Sequence, residues 1–298
     1  IRNTFSPINL PGSIPVDRYT AALFVSPVPP MSMRSYTVQK TSGEALIFRQ
    51  SVLKTASAEN EFLRVQAFDN GEIQITDKLT GRTIHDAINW EETADRGDSF
   101  NYAPTEDRTI LGKEFQASVT ARIINPYRTV LTVTRNLILP EQYDFEARRR
   151  SETNSESPVS LSIILEQGRP ELLIKYSIDN RACDHRIRLR INTGLTSQKT
   201  IADSPYDVIG RDENGHWHDT KSRVYPVTSF VAQETNGTGT AILTCGQHEY
   251  EHLRESRGDI IALTTLRATG EISRNPHDLK GGGDQWMAPG NQCLRKIS

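Results

Sequence analysis

Short runs of alternating or β-branched apolar residues recur along this chain, and turn-forming residues separate them. A period of two places one face of a strand against a core and the other toward solvent, so each run predicts a β-strand. The Asn236-Gly237 pair predicts a hairpin turn, although Asn236-Gly237-Thr238 also fits the N-glycosylation pattern. The predicted strands are 19–25, 35–39, 62–67, 72–76, 118–124, 129–139, 161–165, 171–178, 185–191, 224–232, 240–244 and 260–266.

Two segments depart from this strand pattern. Residues 141–152 are predicted as the single helix, or as an exposed loop, with solvated charges at Arg148-Arg149-Arg150. Residues 1–43 are rich in proline, which confines strands to sheet edges, so they predict a small β module or linker. The main domain is then 44–298, an all-β sandwich or barrel.

Composition narrows the function classes. The 298 residues include 35 basic and 37 acidic side chains, a formal charge of -2, so we expect no nucleic-acid partner. The apolar runs are too short to cross a bilayer, so we expect no membrane partner either. Three widely spaced cysteines argue against a disulfide framework and favour a cytoplasmic location. The chain begins at Ile1 without a signal segment, which we interpret as a boundary within a longer protein.

His248-Glu249-Tyr250-Glu251-His252 fits the zinc-protease motif H-E-x-x-H, with Glu271 as a conceivable third ligand. The motif needs a helix, but this one lies between strand-like runs. In an extended chain the two histidines are ~13 Å apart at ~3.3 Å per residue, too far to share one zinc ion. The sequence therefore argues against a metal site here.

Other chemistry-bearing residues give weaker signals. His216-Trp217-His218 could ligate a metal or stack on a sugar, but such loop residues more often only pack. Residues 280–284, Lys-Gly-Gly-Gly-Asp, lack the strand and helix that a phosphate-binding loop requires. The acidic pairs Glu91/Glu92 and Asp95/Asp98 could act across a glycosidic bond, but surface carboxylates are too common to decide this.

Several segments, in order along nearly the whole chain, resemble the C-terminal β region of glycoside hydrolase family 38. The bacterial α-mannosidases and mannosylglycerate hydrolases are the members that it resembles most. The segments are 59–81 with the turn Asp77-Lys78-Leu79-Thr80-Gly81; 95–104, similar to G-D-x-Y-D-Y-x-P; 184–189, similar to D-H-R-L-R; 203–211 with 225–227, similar to D-x-x-[FY]-x-V-x-x-R…Y-P; 246–251, similar to G-x-x-E-Y-E; and 288–294, similar to T-P-E-A-Q-C-L.

The resemblance implies a β-supersandwich, galactose-mutarotase-like fold and a retaining α-mannosidase with a divalent metal, usually zinc. In that family the nucleophile and most metal ligands belong to an N-terminal α/β domain, and a further histidine ligand lies in the helical segment after it. All of these would precede Ile1. We therefore expect no catalytic residue, metal site or cofactor in this chain, and no hydrolase activity from it alone. The expected partners are the missing catalytic domain and a mannose-containing glycan or mannosylglycerate, with a homo-oligomer left open.

The resemblance also implies substrate-binding residues. Arg211 matches a family arginine that reaches the substrate, although it could instead brace a loop. Phe100 stands where some members have a substrate-contacting tyrosine, and Asn101 replaces the usual aspartate. Asp98 and Tyr102 belong to the same loop and complete the predicted set.

Two alternatives stay open. The chain could be a stand-alone carbohydrate-binding or structural β module without catalysis. It could also be an aldose-epimerase-like enzyme, which needs a histidine and a carboxylate facing each other across a cleft. For the latter the available residues are His185 and the pair His248 and Glu249.

Overall fold

The computed structural model describes residues 2–4, 12–14, 25, 28–37, 50–212, 224–272 and 289–298. These residues form 25 strands and one 3-10 turn, Gly112–Glu114, and the strand pairings are antiparallel. The prediction of an all-β fold is confirmed. Within the described parts of the chain, no helix is long and apolar enough to cross a membrane.

The strands are, in chain order, β1 (Arg2–Thr4), β2 (Gly12–Ile14), β3 (Ser51–Val52), β4 (Ser57–Glu59), β5 (Leu63–Ala67), β6 (Ile73–Asp77), β7 (Thr83–Ile84), β8 (Ile88–Ala94), β9 (Ile110–Leu111), β10 (Ala117–Asn125), β11 (Arg128–Pro140), β12 (Tyr143–Asp144), β13 (Arg149–Arg150), β14 (Asn154–Glu166), β15 (Leu172–Asp179), β16 (His185–Asn192), β17 (Lys199–Ser204), β18 (Asp207–Asp212), β19 (Val224–Pro226), β20 (Phe230–Thr235), β21 (Thr238–Leu243), β22 (Glu249–Leu253), β23 (Ile260–Glu271), β24 (Pro289–Asn291) and β25 (Lys296–Ile297).

Two large sheets dominate the fold. A six-stranded sheet has the order β25-β15-β14-β11-β10-β3. A seven-stranded sheet has the order β19-β22-β23-β16-β8-β9, with β24 also pairing with β23. Two four-stranded sheets, β18-β17-β20-β21 and β4-β5-β6-β7, and the two-stranded pairs β1-β2 and β12-β13 complete the described structure.

The core lies between the two large sheets. Leu131 and Ile163 of the six-stranded sheet belong to the same buried cluster as Ile187 of the seven-stranded sheet. Trp90 also joins the sheets, because its ring meets Tyr176 of β15 edge-on with centroids 5.9 Å apart. An aliphatic side chain such as Leu131, Ile163 or Ile187 contributes about 1.5–3 kcal/mol to the free energy of unfolding when it is fully buried. The layer shared by the two sheets is therefore the main source of stability.

The tight turn between β20 and β21 confirms the predicted hairpin. Asn236 and Gly237 have φ angles of 52° and 74°. Positive φ at both central residues is the geometry of a type I′ turn, which Asn-Gly favours. The predicted single strand 224–232 is instead divided into β19 and β20.

The predicted helix at 141–152 is wrong, because this segment forms the small hairpin of β12 and β13. Its arginines are not all solvated, since Arg150 reaches into the interior and binds Glu92 of β8. A buried carboxylate needs such a partner, and that requirement overrides the helical propensity of the segment.

Part of the N-terminal prediction lies outside the described residues. Of the predicted strand 19–25, only Val25 is described, and residues 35–37, where a further strand was predicted to begin, form no strand. The pair β1-β2 is consistent with a small β module, but the boundary after residue 43 stays a prediction.

Candidate functional site

One face of the seven-stranded sheet carries charges instead of apolar side chains, and we call it the charged face. On β16, Ile187 packs in the core, so the alternation of a strand turns Arg186, Arg188 and Arg190 to the opposite face. Glu91 of β8 pairs directly with Arg188 and therefore lies on the same face.

Ion pairs connect the charged face across its strands. Arg188 donates from Nε to Glu91 at 2.6 Å and from Nη1 to Glu251 of β22. Arg190 binds both Glu91 and Glu255. Glu91 is 2% exposed and Arg188 is 4% exposed, so these charges are desolvated and depend on one another.

The pKa values reflect this dependence. Burial alone would raise the pKa of the Glu91 carboxyl, but Arg188 and Arg190 outweigh burial and hold that pKa below its ordinary value. Burial likewise opposes the charge of Arg188, yet Glu91 and Glu251 raise the pKa of its guanidinium. Both groups therefore stay charged at neutral pH.

The loop 95–104 lies beside the charged face, and buried polar contacts fix its shape. Asp95 Oδ1 accepts hydrogen bonds from the backbone N–H groups of Gly97 and Ala103. Its Oδ2 binds Arg267 of β23, at 2.9 Å from Nε and 2.8 Å from Nη2. Arg267 also donates to the Asp98 carbonyl at 2.8 Å, so one arginine holds both ends of the turn.

The tip of the loop presents an aromatic ring to solvent. Asp98 is 1% exposed, and its Oδ1 accepts the N–H groups of Phe100 and Asn101 at 2.9 and 2.8 Å. The Phe100 side chain remains 73% exposed. Tyr102 is half-buried, with its hydroxyl 3.2 Å from Thr93 Oγ1 and its ring against Arg186. Asp98 thus shapes the turn, and the ring of Phe100 is the exposed part of it.

Arg211 lies elsewhere. Its Nη1 donates to the Pro226 carbonyl at 2.8 Å, and its guanidinium lies 4.9 Å from the Tyr225 ring centroid and 5.8 Å from that of Tyr250. These contacts place Arg211 at the β19 edge of the sheet, whereas the loop 95–104 contacts β16 and β23. The described contacts bring Asp98, Phe100 and Tyr102 together and leave Arg211 apart from them.

The four carboxylates singled out in the sequence are buried, not surface groups. Glu91 and Asp95 are bound by arginines, and Asp98 caps its own turn. Glu92 is held by Arg150 and lies 3.3 Å from His185. Each is engaged in structure, so an acid–base pair for glycoside cleavage receives no support from these contacts.

The H-E-x-x-H residues are extended and not helical, as expected, and Glu249–Leu253 form β22. His248 is exposed at the edge of β22, and His252 is buried with Nε2 3.0 Å from Asp259 Oδ2. In the described ranges, no three His, Cys, Asp or Glu side chains are grouped to hold a metal ion. His216-Trp217-His218 and residues 280–284 lie outside the described residues.

The epimerase alternative gains little from its main histidine. His185 is fully buried, with Nε2 3.0 Å from Asn180 Oδ1 and Nδ1 facing Glu92. It therefore does not face a cleft in this structure.

Residues 58–271 match the family model described as the glycosyl hydrolases family 38 C-terminal domain. The chain belongs to this family. A putative mannosylglycerate hydrolase of Halalkalibacterium halodurans is 26% identical over 231 residues, which are 72% of this chain and 25% of that protein.

Solved family 38 structures agree in fold. A family 38 protein from Enterococcus faecalis has a TM-score of 0.72 and 26% identity, covering 86% of this chain and 31% of that one. An α-mannosidase from Enterococcus faecalis V583 has a TM-score of 0.72 and 25% identity, covering 86% and 30%. The family 38 chain described here thus spans about a quarter to a third of these relatives.

Sequence reasoning missed the residues that build the charged face. Arg186, Arg188 and Arg190 recur at every second position of a predicted strand, which places three like charges on one face. That repeat was the available signal, because three arginines on one strand face require carboxylates opposite them.

Proposed function

We propose that this family 38 chain is the C-terminal β domain of a retaining α-mannosidase-type glycoside hydrolase. In this proposal it completes the substrate cleft, while the catalytic carboxylates and the divalent metal belong to the N-terminal domain that the resemblance implies. The chain by itself is then inactive. The free cysteines Cys183, Cys245 and Cys293 fit a reducing cytoplasm as its location.

The observation that carries the proposal is the fixed loop 95–104 with its exposed aromatic ring. An exposed ring on a flexible loop loses conformational entropy when it binds a ligand, whereas a pre-shaped loop has already lost it. Asp95, Asp98 and Arg267 supply this shape, so Phe100 is available as a platform for the apolar face of a sugar.

The proposed substrate contacts are Phe100 and Arg211. The loop residues Asp98 and Tyr102 support Phe100. Phe100 has no hydroxyl, so it offers stacking and not a hydrogen bond. Arg211 would need to give up or share its bond to the Pro226 carbonyl to read sugar hydroxyls or a carboxylate. The substrate is a mannose-containing glycan or mannosylglycerate, and both stay open.

The test is the hydrolysis of 4-nitrophenyl α-mannoside with zinc added, by this chain and by a protein extended through the upstream reading frame. The expected result is turnover by the extended protein alone, with a loss on Arg211→Ala. Turnover by the isolated chain would show that the catalytic carboxylates lie within it, with Asp95 and Asp98 the first residues to test.

A stand-alone carbohydrate-binding module is the second candidate, and the exposure of Phe100 favours it equally. A start codon directly upstream, with sugar binding that Phe100→Ala abolishes, would support this alternative over the first.

A further inference from the structure

Three side chains of the charged face keep polar atoms that are shielded from solvent and have no hydrogen-bond partner within the described residues. They are Arg186 with Nε and Nη1, Glu249 with Oε1, and Thr264 with Oγ1. Arg186 as a whole is 1% exposed. Buried polar groups in folded proteins nearly always have partners, so three unpaired groups on one face require an explanation.

These three groups come from three neighbouring strands. Thr264 of β23 pairs with Arg188 of β16, so its side chain lies on the charged face two positions along from Arg186. Glu249 of β22 is two residues from Glu251, whose carboxylate binds Arg188 on that face. In the strand order β22-β23-β16, Glu249 and Thr264 each precede or follow a residue of the pair Tyr250 and Leu263, and Thr264 in turn faces Arg188. Arg186 lies two residues from Arg188 on the same face and is opposite Arg267.

Electrostatics supports the proximity of Arg186 and Glu249. Burial, followed by Arg188, lowers the pKa of the Arg186 guanidinium, while Tyr102, Glu251 and Glu249 act in the opposite direction. The Arg186 Nη2 atom lies 3.9 Å from Glu251 Oε2. Arg186 therefore keeps a loose ion pair on one side and two unused donors on the other.

The unpaired atoms select a chemical class of ligand. Arg186 only donates, a carboxylate oxygen such as Glu249 Oε1 accepts, and the Thr264 hydroxyl does both. A carboxylate ligand would be repelled by Glu249 and Glu251, and an ammonium ligand by Arg186 and Arg188. Alcohol groups carry no charge and both donate and accept, so they match all three residues.

We infer that Arg186, Glu249 and Thr264 form a binding site for neighbouring hydroxyl groups of a polyol, covered by the ring of Tyr102. Tyr102 is only half-buried, so the site lies one side chain below the surface. Tyr102, which covers the site, and Phe100 belong to the same loop, 95–104. The choice of mannose as the polyol rests on the proposed function, while the hydroxyl chemistry of the site does not.

The experiment is a titration of this chain, labelled with ¹⁵N-arginine, with D-mannose and in parallel with glycerol. The Nε–H signal of Arg186, assigned by its loss in Arg186→Lys, reports the site directly. We expect a saturable shift in the millimolar range. Thr264→Val and Glu249→Gln each remove one partner and should weaken binding by about tenfold.

Matched controls are Thr120→Val and Glu152→Gln, which make the same changes at exposed positions away from the charged face. Circular dichroism spectra of all variants establish folding, and Glu249→Gln serves if Thr264→Val does not fold. The controls should bind mannose like the unchanged chain.

The inference is overturned if neither polyol shifts the Arg186 signal, or if the two site variants bind like their controls. In that case only structural water would be bound to the three groups. Binding of glycerol but not mannose would keep the polyol site and remove its link to mannose. Turnover by the upstream-extended protein is measured separately, so failure here leaves the proposed function standing.

Discussion

The Cζ atom of Arg186 lies 3.5 Å from the centroid of the Tyr102 ring, so a buried cation is covered by the same loop that exposes Phe100. Its neighbour on β16, Arg188, is equally buried but has partners at Nε, Nη1 and Nη2. Two arginines on one strand face thus differ in how well their charges are satisfied, and this difference can be measured.

Replacing each arginine by methionine should have unlike effects on stability. Arg188→Met leaves Glu91 and Glu251 without their main partner, and breaking a buried pair in this way costs about 3–5 kcal/mol. Arg186→Met removes a desolvated charge with two unpaired donors, so we expect a change within about 1 kcal/mol, of either sign. Urea denaturation of both variants gives the free energies of unfolding. Equal losses in the two would contradict the difference in pairing.

The loop 95–104 requires glycine at position 97. A Cβ atom there would lie 1.9 Å from the Asn101 carbonyl oxygen, which is backbone and cannot move without changing the turn. We expect Gly97→Ala to lower the free energy of unfolding by about 1–3 kcal/mol. Gly210→Ala is the matched control, because a Cβ at Gly210 meets nothing within 4 Å. A Gly97→Ala protein as stable as this control would show that the turn is adaptable.

Stability should fall as the solution becomes acidic. Although burial acts in the opposite direction, Arg188 and Arg190 hold the pKa of the folded Glu91 below its ordinary value of 4.5. Its contribution is therefore fully present above that value and is lost as pH falls through the lower, folded-state pKa. Thermal melts between neutral pH and about pH 3 measure this loss.

The Glu91→Gln variant isolates this contribution. It should be less stable than the unchanged chain at neutral pH, because Arg188 and Arg190 lose a charged partner. The gap between the two melting curves should narrow toward acidic pH. A gap of constant size would assign the acid sensitivity to other carboxylates.

Arg211 offers a test that separates bracing from substrate binding. Its stacking on Tyr225 and its bond to Pro226 predict a stability loss of about 1 kcal/mol for Arg211→Ala. If it also reads the sugar, kcat/KM of the upstream-extended protein should fall by more than about tenfold, which stability alone does not explain.

Arg211→Lys supplies the control for charge. Lysine keeps the cation but cannot present a planar fork, so partial recovery is expected only if charge contributes. A normal kcat/KM in Arg211→Ala would leave Arg211 as a brace for β19.

Much of the fold was accessible from the sequence, because strands with one apolar face carry a clear period of two. β10 and β11, each found within two residues of its predicted bounds, are examples. β8 was missed, since Glu91 and Glu92 put charge on both of its faces. The partners that allow this are Arg188 and Arg150, which are 97 and 58 positions away in the chain.

The candidate site was accessible only in part. The resemblance pointed to the loop 95–104, and the structure shows how Asp95 and Asp98 shape it. Arg267 was not found, because a lone arginine in a strand gives no sign that its partner, Asp95, is a loop residue 172 positions earlier.

The distance along the chain between Glu91 and Arg188 also has a consequence for synthesis. At about 5–20 residues per second, Arg188 leaves the ribosome about 5–20 s after Glu91. Throughout that interval β8 lacks its β16 neighbour, so β16 does not yet cover Ile88 and Trp90, and Glu91 has neither of its arginine partners. The seven-stranded sheet is therefore assembled late, and β8 is open to wrong partners until β16 arrives.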